Sequence, residues 1–137
     1  MSYDLMVFDP EVAPFDRAAF MRWYDDLTKW SEGHSYYDPS VTTPALRAWY
    51  DAMRVDWFPM NGPDSPLTSD IPVESELWDD PRATGYTICK SAIYCDFRWS
   101  MANEAHQAVN RFAFEHEVGF FDVSADNGAI IFPAKYV

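Results

Sequence analysis

GYTICK (Gly85–Lys90) and AIYCDFRW (Ala92–Trp99) decide the fold, together with the residues from Ser100 to Phe132. Both runs are rich in β-branched and aromatic residues and read as two strands joined by a tight turn. Ser100 reads as the cap of a helix running to about Val118, stopped by Gly119. FFDV (Phe120–Val123) and AIIF (Ala129–Phe132) read as two further strands. Between them Asp126, Asn127 and Gly128 make a turn, and Asn-Gly is a strong hairpin signal. The stretch is therefore strand, strand, helix, strand, strand.

Outward from there, the N-terminal run SYDLMVF (Ser2–Phe8) predicts a first strand. Tyr3, Leu5 and Val7 alternate with Asp4, Met6 and Phe8, so both faces are mainly apolar and the strand belongs in the middle of a sheet. Asp16 is a good N-cap for a first helix, whose apolar face carries Phe20, Trp23, Leu27 and Trp30. Thr43 and Pro44 start a second helix, with Leu46, Trp49, Tyr50 and Met53 as its buried stripe and an end at Phe58–Pro59. In the third helix Met101, Ala105, Ala108, Val109 and Phe112 face inward. His106 and His116 are expected on the helix surface, and Asp122 and Asp126 are expected to serve the final turn.

Two loops stand out. Residues 31–43 place Glu32, His34, Tyr36, Tyr37 and Asp38 within seven positions, the residue types that a polar binding site uses. The same residues also build ordered turns. Residues 59–82 hold half of the ten prolines and the acids Asp64, Asp70, Glu74, Glu76, Asp79 and Asp80, with no basic residue before Arg82. Proline keeps this stretch out of helix and sheet, and carboxylates keep it solvated. Leu67, Ile71, Val73, Leu77 and Trp78 are available to pin it to the body. A loop of this length in a compact domain is functional or disordered.

The 137 residues predict one domain spanning 1–137. No run approaches a membrane helix, and the N-terminus lacks the basic and apolar regions of a signal peptide, which points to the cytoplasm. Cys89 and Cys95 lie on neighbouring strands and read as small core hydrophobes, a disulfide being disfavoured in a reducing compartment. The chain carries 10 basic and 22 acidic residues, net −12. Nucleic acid is then a poor partner, because its phosphates need Lys and Arg, while a basic protein is a good one. There is no dinucleotide-binding or nucleotide-triphosphate loop, no G-x-S-x-G elbow and no H-E-x-x-H, so no cofactor, no metal and no catalytic residue is assigned.

The fold expected is α+β, in the order β-α-α-β-β-α-β-β: one mainly antiparallel sheet with helices on one face, a ferredoxin-like variant with a doubled first crossover and an added C-terminal hairpin. Several segments then carry a resemblance: the opening SYDLMVF, Trp23-Tyr24, Glu32-Gly33-His34, the TPAL run at Thr43, the PMNGP run at Pro59 and GFFDVS from Gly119. Together they resemble a family of small, uncharacterised bacterial proteins. In size and charge such chains are similar to the immunity proteins of bacterial toxin systems. The charge, the acidic proline-rich loop and the absence of catalytic motifs point the same way, to a non-enzymatic protein-binding protein, most concretely an antitoxin that neutralises a cognate toxin through an acidic surface. On this expectation Asp64, Asp70, Glu74, Glu76, Asp79 and Asp80 supply charge, and Trp78 and Tyr37 supply aromatic anchors. The alternative is a small-molecule binder or enzyme with its site at Glu32, His34, Tyr36 and Asp38.

Overall fold

A computed structural model describes residues 1–137. Strand β1 (Tyr3–Phe8) is the centre of a five-stranded antiparallel sheet with the order β2-β3-β1-β4-β5. Its neighbours are β3 (Ala92–Phe97) on one side and β4 (Gly119–Phe121) on the other. Strand β2 (Gly85–Ile88) lies outside β3, and β5 (Ile130–Ile131) lies outside β4. Leu5 pairs with Cys95 and Val7 with both Ile93 and Phe120, a register that aligns the apolar residues of one face.

Three helices cover the sheet: α1 (Arg17–Leu27), α2 (Pro44–Met53) and α3 (Ala102–Glu115). They do not share one face, as the sequence reading expected. Leu5 and Val7 bury against α2 and α3 in a core that includes Trp49, Tyr50 and Val109. Met6 and Phe8 point the other way and bury under α1, against Phe20 and Phe121. The cause is in β1 itself. Four consecutive residues from Leu5 are fully buried, so both faces of the central strand are apolar and each needs a cover. On the α1 side the cover is aromatic: the Phe20 ring meets Phe8 at 5.0 Å and Phe121 at 5.2 Å, both edge to face. On the other side the Trp49 Nε1–H donates to the Val109 carbonyl at 3.2 Å and ties α2 to α3.

Local chemistry sets the helix starts. Asp16 accepts a hydrogen bond from Ala19 N, and Thr43 from Leu46 N, so both are N-caps. The ends differ from expectation. Trp30 is not on the α1 stripe: the helix stops at Leu27, and Trp30 adopts a left-handed backbone, φ 53°. Its ring instead meets Tyr36 and Tyr94. Helix α2 stops at Met53, five residues before Phe58. Ser100 does not cap α3, because it lies inside a 3-10 turn (Trp99–Met101) that leads into the helix. Helix α3 ends at Glu115, short of Val118. Glu117 takes φ 56° there, while Val118 N donates to the Ala113 carbonyl and Glu117 N to that of Phe114. That is a Schellman ending with glutamate where glycine is usual. Strands β4 and β5 are also shorter than predicted, and residues 122–129 connect them.

The two sheet edges differ. The β2 edge is covered in part by the chain itself: Ile88 N donates to the Tyr36 carbonyl, and Thr84, just before β2, bonds to Phe58 and Met60. Strand β5 has no such cover. No helix is long and apolar enough to cross a membrane.

Candidate functional site

The 59–82 loop has a defined conformation held mostly by its own polar groups. The Ser65 hydroxyl donates to the Met60 carbonyl at 3.1 Å and accepts from Leu67 N at 3.0 Å. Ser75 caps a 3-10 turn (Glu76–Asp79) by accepting from Leu77 N. The Trp78 indole N–H donates to the Pro72 carbonyl at 2.9 Å, which fixes the ring although it is 41% exposed. Arg98, at the end of β3, donates to the Asp79 carbonyl and ties the loop to the sheet. Leu67, Ile71 and Leu77 are half-buried, as pinning residues should be. Val73 is not one of them: at 92% exposure it pins nothing, because prolines and carboxylates on either side keep its segment in solvent.

The six acids of this loop divide into two kinds. Asp64 is turned inward. Its Oδ2 accepts from the Tyr50 hydroxyl at 3.0 Å and its Oδ1 lies 3.3 Å from Arg54 Nη1, so its charge is already used. Burial and the Asp64 carboxylate together push the Tyr50 hydroxyl well above the ordinary tyrosine value. Asp70, Glu74, Glu76 and Asp79 are exposed, Asp80 is half-buried, and none of the five has a cation within ion-pair distance. Asp80 accepts from Arg82 N, which orients it without neutralising it. Arg82 lies with its guanidinium over the Trp57 ring at 4.6 Å.

The 31–38 loop is built from the same residue types but is closed on itself. Glu32 Oε1 accepts from His34 Nε2 at 2.7 Å and from Lys90 N at 2.9 Å. His34 Nδ1 faces the Ser35 carbonyl at 3.0 Å. Two acceptors facing the two ring nitrogens select the imidazolium, and the bond to Glu32 is the main reason that the His34 pKa lies above the ordinary value. The Tyr36 hydroxyl accepts from Glu32 N, and its carbonyl takes Ile88 N at the β2 edge. Asp38 caps the turn at Pro39, and hydrogen bonds from Ser40 lower its pKa. These groups hold the loop against the sheet edge. No cavity is lined by His34, Tyr36 or Asp38; Glu32 alone lines a small cleft of about 180 Å³ with Trp23 and Ser91. Tyr37 is 44% exposed and rests against Gly62, where an added Cβ would come 2.6 Å from its own. Tyr37 therefore joins the first loop to the start of the second.

Two polar clusters escaped the sequence reading. On the α1 face of the sheet, Asp4 and Asp96 stand directly opposite each other in the β1–β3 register. Tyr94 and Ser2 donate their hydroxyls to Asp4, while the half-buried Asp96 has no such donor. Burial first, and then the Asp4 charge, raise the Asp96 pKa. On the α3 face, His106 Nε2 lies 3.7 Å from Asp122 Oδ2, and the Asp122 Oδ1 is buried without a hydrogen-bond partner. Asp122 thus faces α3 and does not serve the turn as expected, since it shares the inward face of β4 with Phe120. The signal for both clusters was aspartate in or beside a central strand, where β-propensity disfavours it. Cys89 and Cys95 are buried free thiols, and burial pushes Cys89 up to about 12.

No family model, no curated protein and no solved structure matches this chain.

Proposed function

We propose that this chain is a non-enzymatic protein-binding protein that docks a basic partner on its 59–82 loop. Its most concrete form is an immunity protein, an antitoxin neutralising a basic bacterial toxin. One observation carries the reading: Asp70, Glu74, Glu76, Asp79 and Asp80 are uncompensated charges on a loop whose backbone is already hydrogen-bonded in place. Charges fixed before binding lose little conformational entropy when the partner arrives. Their summed field attracts cations over a Debye length, about 8 Å at physiological salt. The half-exposed Trp78 adds the aromatic anchor that such interfaces favour. On the same reading the fold is a ferredoxin-like variant, supported by the order β2-β3-β1-β4 and by α2 and α3 sharing one face.

The test is affinity capture from the native cell lysate at low salt, read by mass spectrometry. The bait is the tagged chain and a variant with Asp70→Asn, Glu74→Gln, Glu76→Gln, Asp79→Asn and Asp80→Asn. The expected result is one stoichiometric basic protein on the parent chain, released near 0.5 M salt and absent from the variant. Equal capture by the variant, or no protein partner on either bait, contradicts the proposal.

A further inference from the structure

Asparagine stands directly before glycine at two places in the chain, Asn61–Gly62 and Asn127–Gly128. Such a pair is chemically vulnerable in water, because glycine has no Cβ to shield its backbone nitrogen from the neighbouring carboxamide. The fold treats the two pairs differently. Gly128 is buried, its N–H donates to the Ala125 carbonyl at 3.0 Å, and its own carbonyl accepts from Arg17 Nη1 at 3.0 Å. The Asp122 carbonyl closes over its Cα and leaves no room for a side chain. The Gly128 nitrogen therefore cannot turn onto the Asn127 carboxamide without breaking a hydrogen bond in a crowded turn. Asn61 and Gly62 are both exposed, and no group of the chain takes the Gly62 N–H or the Asn61 carboxamide. On either side the backbone is held: Met60 N donates to the Thr84 carbonyl at 2.9 Å, and the Gly62 carbonyl accepts from Ser65 N at 3.2 Å. The reacting groups thus sit in a bend between two fixed points, open to solvent.

We propose that Asn61 is a site of covalent modification by water, converting through a cyclic succinimide to aspartate and isoaspartate in the folded chain while Asn127 is protected. The Gly62 nitrogen gives up its proton and attacks Asn61 Cγ. The N–Cγ bond forms, the Cγ–Nδ2 bond breaks, and ammonia leaves with a proton. Water then opens the ring at either carbonyl: addition at Cγ gives aspartate in an ordinary backbone, and addition at the main-chain carbonyl carbon gives isoaspartate. One water is consumed, one ammonia is released, and nothing is oxidised or reduced. Either product adds a carboxylate near the start of the 59–82 loop, beside the uncompensated set. Isoaspartate also lengthens the main chain by a methylene next to Gly62, which packs against Tyr37 at the joint between the two loops. The conversion rests on the surroundings of Asn61 alone. Only its effect on docking rests on the proposed function, so the two fail separately.

The experiment incubates the full folded chain at mildly alkaline pH and physiological temperature, beside a sample unfolded in urea. Peptide mapping by mass spectrometry follows both sites, each conversion adding about 1 Da, and enzymatic methylation of the freed α-carboxylate scores isoaspartate. In urea the two sites are expected to convert at rates within about twofold of each other, since no hydrogen bond protects either. In the folded chain Asn61 is expected to convert at least about tenfold faster than Asn127, with isoaspartate among its products. Equal conversion at the two sites in the folded chain overturns the inference, as does an Asn61 that stays intact while its unfolded counterpart converts. Aspartate at Asn61 with no isoaspartate overturns the succinimide route.

Discussion

Asp96 is held in a fold that resists its charge. It faces Asp4 across the β1–β3 pair, and like charges directly opposite on a sheet destabilise it. The available hydroxyl donors go to Asp4, so Asp96 relieves the conflict by holding its proton more tightly. A carboxyl whose folded pKa is raised contributes stability below its unfolded pKa and loses it as pH rises through the folded value. Asp96→Asn is therefore expected to raise the melting temperature at pH 7. The gain should shrink on acidification and vanish below the ordinary aspartate value of 3.8. A loss at pH 7, or the same gain at both ends of that range, contradicts this account. The faces were legible in the sequence, since Asp4 alternates with Leu5 and Asp96 with Cys95. Their opposition was not, because register depends on which residues two distant strands align.

At the scale of elements, starts were easier to read than ends. Asp16 and the Thr43–Pro44 pair bind their own helices locally, so a few adjacent residues suffice. Helix α3 ends on a glutamate in a left-handed conformation, for which no glycine gives notice. The face that α1 covers was also hidden: an apolar stripe shows that a helix is buried, not on which side of the sheet. The 59–82 loop was legible as acidic and rich in proline, but not as an ordered element. Its order comes from hydrogen bonds among its own polar groups and from a few ties to the body, of which the chief is Asp64, joined to Tyr50 and Arg54 of α2 and its end. Asp64→Ala is expected to lower stability by about 1–2 kcal/mol in urea unfolding, the worth of hydrogen bonds to a partly buried carboxylate. Amide exchange in residues 60–71 should quicken more than in α3. Unchanged exchange there would show that the loop does not depend on this anchor.

Over the whole molecule, net charge was plain from composition, and its distribution was not. None of the ion pairs in the fold involves residues 65–81, so the excess negative charge concentrates where the chain is least regular. Glu32, by contrast, looked like a site residue and is spent on His34 and Lys90, because a carboxylate near a sheet edge is as useful for closing it as for binding. The central claim is that the uncompensated carboxylates steer a basic protein onto this loop. The most direct measurement is the association rate of the captured partner from about 0.02 to 0.3 M salt, for the parent chain and for the five-amide variant. The account predicts a fall of about tenfold or more for the parent across that range and a nearly flat line for the variant, with dissociation rates changing far less. Parallel salt dependences for the two chains would place the steering charge elsewhere and contradict it.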